Sequence, residues 1–157
     1  MKQHFRPTYT WVDVLTASPT EPLPLERRTY QLTRMWSGLA EIERGADPTT
    51  DDWRVCSDAV NLLETLVTHG HMTDARGLLD DAVAALAHAG RRHRAGQPIR
   101  LDAAGILAVR ATLEDYRDAV EALPARTVIQ AHRATELRIH KILRGEAQPH
   151  DVEVMDL

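Results

Sequence analysis

His132, Glu136 and His140 follow one another at a spacing of four in AHRATELRIHK, so on a helix their side chains stand in one row. Val128, Ile139, Ile142 and Leu143 mark the apolar stripe of the same stretch, which puts His132 at its centre, Glu136 beside it and His140 at its edge. An imidazole and a carboxylate one turn apart, facing a bundle core, are how helical metal sites begin, but such a site needs further ligands from facing helices. The other stripes offer only His93. A buried His132–Glu136 hydrogen bond, or a pair covered by the N-terminal residues, fits the same spacing. Metal binding at His132, Glu136 and His140 is therefore the lesser alternative, and no cofactor is expected. His69 and His71 form a weaker pair at a helix hairpin. Glycine-rich phosphate loops, nucleophile elbows and paired acids in a recognisable frame are absent, and the chain reads as a non-enzyme.

Arg91, Arg92, Arg94 and Arg100 form the second group, at a helix end and in the following loop. Guanidinium groups so placed suit phosphates or a partner's carboxylates, and at a helix C-terminus they also complement the backbone dipole. No aromatic residue interleaves them, which disfavours stacking on single-stranded nucleic acid. The third group is aromatic: Phe5, Tyr9 and Trp11 lie within residues 1–24, where an arm lying on the bundle would bury them and an exposed recognition segment would offer them as interface anchors.

The elements that must position these groups are helical. Residues 50–70, TDDWRVCSDAVNLLETLVTHG, begin with a cap at Thr50 or Asp51 and end at Gly70, and their apolar residues fill about half of the helix circumference. Such a helix belongs at the centre of a bundle, with Asp58, Asn61, Thr65 and Thr68 on one narrow face to water. Around it the periodicity predicts a first helix over 25–44, a third capped by Thr73 and running to Gly90, a fourth capped by Asp102 and broken at Pro124, and a fifth over 125–144. Arg110 with Glu114, and Arg117 with Glu121, are spaced for pairs on a solvated face of the fourth helix. The expected architecture is all-α, a bundle of about five amphipathic helices over residues 25–145. An extended arm precedes it over 1–24, in which 9–15 forms a short strand or a single helical turn. An acidic tail over 146–157 follows, whose alternating Val152, Glu153 and Val154 suit an extended segment.

Composition sets the outer bounds. The 157 residues are one domain's worth of chain, and the single cysteine, Cys56, excludes a disulfide framework and fits a reduced compartment. The N-terminal residues lack a signal-peptide layout and no apolar run approaches ~20 residues, so a cytoplasmic protein with no membrane association is expected. A net charge of −4 gives no general attraction to nucleic acid.

The blocks PLERRTYQLTRMW, TDDWRVCSDAVNLLETLV, GRRHRAGQPIRLD and RGEAQPHDVEVMDL resemble segments of small uncharacterised accessory proteins carried by phages and integrative elements of proteobacteria. The resemblance implies a bacterial accessory gene product of a kind that often binds another macromolecule, and it carries no active-site residues. The function expected is that of a non-enzymatic regulatory protein docking on a protein partner through Tyr9, Trp11, Arg91, Arg92, Arg94 and Arg100, with inhibition of a host defence complex as one form and a homodimer allowed. The alternative is a nucleic-acid-associated regulator using the arginine loop together with Arg126, Arg133, Lys141 and Arg144.

Overall fold

A computed structural model describes residues 7–146, and among them every regular element is an α-helix. The helices are α1 (Trp11–Thr16), α2 (Leu25–Arg44), α3 (Thr50–Thr68), α4 (Leu79–Arg94), α5 (Ala103–Ala122) and α6 (Ala125–Leu143). None is long and apolar enough to cross a membrane. The readings of residues 1–6 and of 147–157, Phe5 and most of the acidic tail included, lie outside the described residues.

α3 is the hub, packing against α2, α4, α5 and α6. A reciprocal capping box opens it: the Thr49 hydroxyl accepts from the Asp52 N–H, and the Asp52 carboxylate accepts from the Thr49 N–H. The cap is thus one residue earlier than expected. Cys56 and Leu66 on α3 and Val109, Leu113 and Val120 on α5 are completely buried. Trp53 adds a polar tie, its indole N–H donating to the Leu86 carbonyl on α4 at 2.9 Å. Gly38 allows α2 to approach, because a Cβ there would stand 2.8 Å from the Asp52 carbonyl oxygen.

Four expectations are corrected. The arm is not simply extended: residues 11–16 form the sixth helix, α1, because Thr10 and Asp13 build a second capping box. α4 starts at Leu79 rather than just after Thr73, since Gly77 takes a φ of 65° and the Asp74 carboxylate accepts from the Leu78 and Leu79 N–H groups, which holds the turn that precedes the helix. Its far end runs through Arg94, so Arg91, Arg92 and Arg94 ride on the last helical turn. Finally, Asn61 and Thr65 are buried, because α6 lies across the face of α3 assigned to water. The Thr65 and Thr135 hydroxyls meet there at 2.6 Å.

A candidate protein-docking face on α1 and α6

α1 is six residues long and buries only Val14. It is held from outside itself, by a strap of polar bonds between residues 8–21 and α6. Glu136 accepts from the Thr8 N–H, 3.1 Å from both carboxylate oxygens, and from the Thr8 hydroxyl. The Arg133 guanidinium donates to the Tyr9 carbonyl, and that of Arg126 to the Leu15 and Ala17 carbonyls. The first turn of α6 has N–H groups with no partner inside the helix, and two find carbonyls in the strap: Ala125 N–H donates to Glu21 at 2.8 Å and Arg126 N–H to Ser18 at 3.0 Å. The Asp13 carboxyl is held below its ordinary pKa, first by its backbone hydrogen bond from Thr10 and then by the Thr10 hydroxyl.

These bonds decide which aromatics are offered. Tyr9 is a correction: at 3% exposure its ring stands edge-on to His132, with centroids 5.2 Å apart and the Arg27 guanidinium 5.3 Å from the ring centroid. It is sealed under the strap rather than offered at the surface. Trp11 does face outward, 66% exposed, and with it stand Val12 at 65%, Leu15 at 74% and, from α6, Leu137 at 48%. Pro7, Trp11, Gln130, Arg133, Ala134 and Leu137 line a groove of about 290 Å³ between the two helices, and the Arg133 guanidinium lies 4.4 Å from the Trp11 ring centroid. Sequence reasoning missed Val12, Leu15 and Leu137. Leu137 gave a signal, being a leucine off the apolar stripe of its own helix; α1 is too short for its periodicity to point anywhere.

The histidine row is taken up by the strap. His132 Nδ1 is 4.0 Å from Glu136 Oε1, beyond hydrogen-bond reach, while Glu136 is engaged by Thr8. Burial holds the His132 pKa below its ordinary value, with Glu136 opposing the shift. His140 is half-buried further along α6. Among the described residues no three His, Cys, Asp or Glu side chains converge as a metal site would require.

The arginine group is split. Arg92 and Arg100 meet in a cleft of about 440 Å³ between α4 and the start of α5, lined also by Asp81, His88 and Asp102. Arg92 Nε donates to the Gln97 side chain at 2.8 Å. Arg91 and Arg94 are exposed on the last turn of α4, outside that cleft. Of the basic face expected on the fifth helix, Arg126 and Arg133 bond to carbonyls of the strap, while Lys141 is exposed and Arg144, also exposed, pairs with Glu146 at 3.0 Å.

The exposed apolar side chains therefore form the most distinctive surface among the described residues. Leu25, Tyr30, Leu107 and Leu143 are also exposed, and scattered apolar residues are ordinary on protein surfaces, whereas Trp11 and Leu137 line one groove and Val12 and Leu15 stand exposed on the same short helix as Trp11. Comparison of the chain with protein-family models, with curated proteins and with solved structures finds no match.

Proposed function

We propose that this chain is a non-enzymatic helical accessory protein that acts by docking on a protein partner through the α1–α6 face. The observation that carries the reading is the exposure of Trp11, Val12 and Leu15 on one short helix, with Trp11 and Leu137 lining the same groove. Their exposure leaves roughly 25 cal/mol of unrealised burial for each Å² of apolar surface, which a partner would recover. The setting implied by the resemblance, a bacterial mobile element, fits a protein of this kind, and inhibition of a host defence complex belongs to the same class. The test is affinity purification from the native host with mass spectrometry, comparing the wild type with Leu15→Asp and Leu137→Asp. Both positions are open to water, so the variants should fold and lose the partner. Retention of every captured protein by both variants would refute the reading.

The meeting of Arg92, Arg100 and His88 in the α4–α5 cleft supports a second reading, a nucleic-acid-associated regulator. It requires binding that weakens steeply with salt and is lost in Arg92→Gln/Arg100→Gln. Flat gel-shift behaviour at low salt would remove it.

A further inference from the structure

We propose that the α4–α5 cleft binds a small phosphorylated polyhydroxy compound, with its phosphate on Arg92, Arg100 and His88 and its hydroxyl groups toward Asp81. This goes beyond the docking reading, in which the cleft has no part, and gives the cleft a ligand other than a nucleic-acid strand. The recess is made by short side chains. Gly105 lets α5 close on α4, a Cβ there standing 3.0 Å from the Ala85 Cβ, and Ala84 and Ala104 beside them leave a cleft of about 440 Å³ unfilled. That volume suits a whole small molecule and exceeds what a bare ion needs.

The basic end of the cleft is oriented in advance. Gln97 grips Arg92 twice: its N–H donates to the Arg92 carbonyl at 3.0 Å, and its side-chain oxygen accepts from Arg92 Nε at 2.8 Å. A neutral amide thus fixes the guanidinium and leaves its charge to a ligand, so little ordering remains to be done on binding. His88 stands one turn before Arg92 on the same face of α4, and Arg100 enters from the loop before α5. Two guanidinium groups and an imidazole from two segments therefore border one volume, a donor set matched to the oxygens of a phosphate.

The acids decide against a polyanion. Asp81 belongs to the first turn of α4, eleven residues before Arg92 and so about 16 Å from it along the helix axis. Asp102 lies at the start of α5, where one carboxylate oxygen accepts from the Gly105 N–H at 2.7 Å. A nucleic-acid strand laid along the cleft would carry further phosphates past both carboxylates, and no Phe, Tyr or Trp lines the cleft to stack its bases. A single phosphate at the arginine end avoids that repulsion, and Asp81 then accepts hydrogen bonds from hydroxyl groups at the ligand's other end.

Amide shifts followed by NMR on the full chain, titrated with glucose-6-phosphate, inorganic phosphate or glucose, test the site. Glucose-6-phosphate should give saturable shifts along residues 81–105, inorganic phosphate weaker ones at the Arg92 end, and glucose none. Arg92→Gln and Arg100→Gln should each weaken glucose-6-phosphate binding by about tenfold, the worth of one charge-assisted hydrogen bond. Asp81→Asn should weaken glucose-6-phosphate and spare inorganic phosphate, a split that general charge attraction does not produce. Lys141→Gln removes an exposed cation outside the cleft and should change neither. Circular dichroism checks that each variant is folded. The absence of saturable shifts from both phosphates, or an equal weakening in Lys141→Gln, would overturn the inference. A single-stranded oligonucleotide that binds and is lost in Arg100→Gln, while glucose-6-phosphate gives no shift, would overturn it in favour of the nucleic-acid reading. None of these outcomes touches the docking reading, whose variants lie on the α1–α6 face.

Discussion

α3 is held on one side by α4 and α5 and overlaid on another by α6 with its strap, and the two regions use different physics. Between α3 and α5 the contacts are apolar and complete: Cys56, Leu66, Val109, Leu113 and Val120 are all sealed. Between the strap and α6 only Tyr9 and Val14 are sealed among residues 7–17, and the rest of the attachment is directional bonding by Glu136, Arg133 and Arg126. Burial alone would not choose this arrangement. Turning α1 over would hide Trp11, Val12 and Leu15 at the expense of Val14, a larger apolar gain. The polar bonds fix the orientation against that gain, so the strap displays the apolar face while the core supplies the stability.

The comparison can be broken most forcefully in the core. Leu66→Ala should cost about 2–5 kcal/mol, read as a fall in the urea midpoint with an unchanged slope. A loss no larger than that of a strap variant would erase the distinction between the regions.

At the α3–α6 seam the effect should be smaller. Thr65 and Thr135 approach the carbonyls of Asn61 and Ala131 as well as each other, so Thr135→Val leaves the Thr65 hydroxyl without its partner across the seam. The expected cost is about 1 kcal/mol, with Thr65→Val/Thr135→Val costing less than the sum of the single changes in a double-mutant cycle.

Acidification should act where strap and core meet. His132 is buried with its pKa below the unfolded value of 6.5, so below 6.5 the unfolded chain binds more protons and stability falls with pH. Asp58 works in the opposite sense. Desolvation by its packed neighbours raises its pKa from 3.8 to about 6, so over that window the folded state binds the extra proton and gains stability as pH falls, a gain that solvent reduces because the residue is exposed. His132→Gln should therefore flatten the acid-side loss and Asp58→Asn should steepen it, in urea titrations run from neutral pH downward through 6.5. The same pH profile in both variants would contradict this assignment.

Glu136→Gln should have the least effect on global stability, under about 1 kcal/mol for a partly exposed group. Amide exchange over residues 8–17 should nevertheless quicken, because the neutral amide is a weaker acceptor for the Thr8 N–H and hydroxyl. Unchanged exchange would mean that the strap is held by something other than these bonds.

Much of this architecture could be read along the chain. Gly45, Asp102 and Pro124 stand at helix boundaries as expected, and the wide apolar arc of 50–70 announced a central helix. What escaped depends on groups distant in sequence. Arg110, spaced to pair with Glu114, pairs instead with Glu43 on α2, and Glu114 is taken by Arg76 at 2.8 Å. Arg117 turns to Asp118 rather than Glu121. Asn61 and Thr65 looked solvated because short polar side chains are ordinary on a wet helix face, and only the position of α6 buries them.

The sequence by itself determined the all-helical fold and its hub, because helical periodicity, caps and breakers act within one or two turns of chain. It also marked residues 9–15 as a place where aromatics gather. Which of them would be anchor and which would be offered was decided only in three dimensions. Tyr9 is sealed against His132 while Trp11 faces water, since carbonyls of the strap meet Arg126 and Arg133 more than a hundred residues away. Local pattern sets where a helix forms; the groups that rotate it about its axis come from elsewhere in the chain.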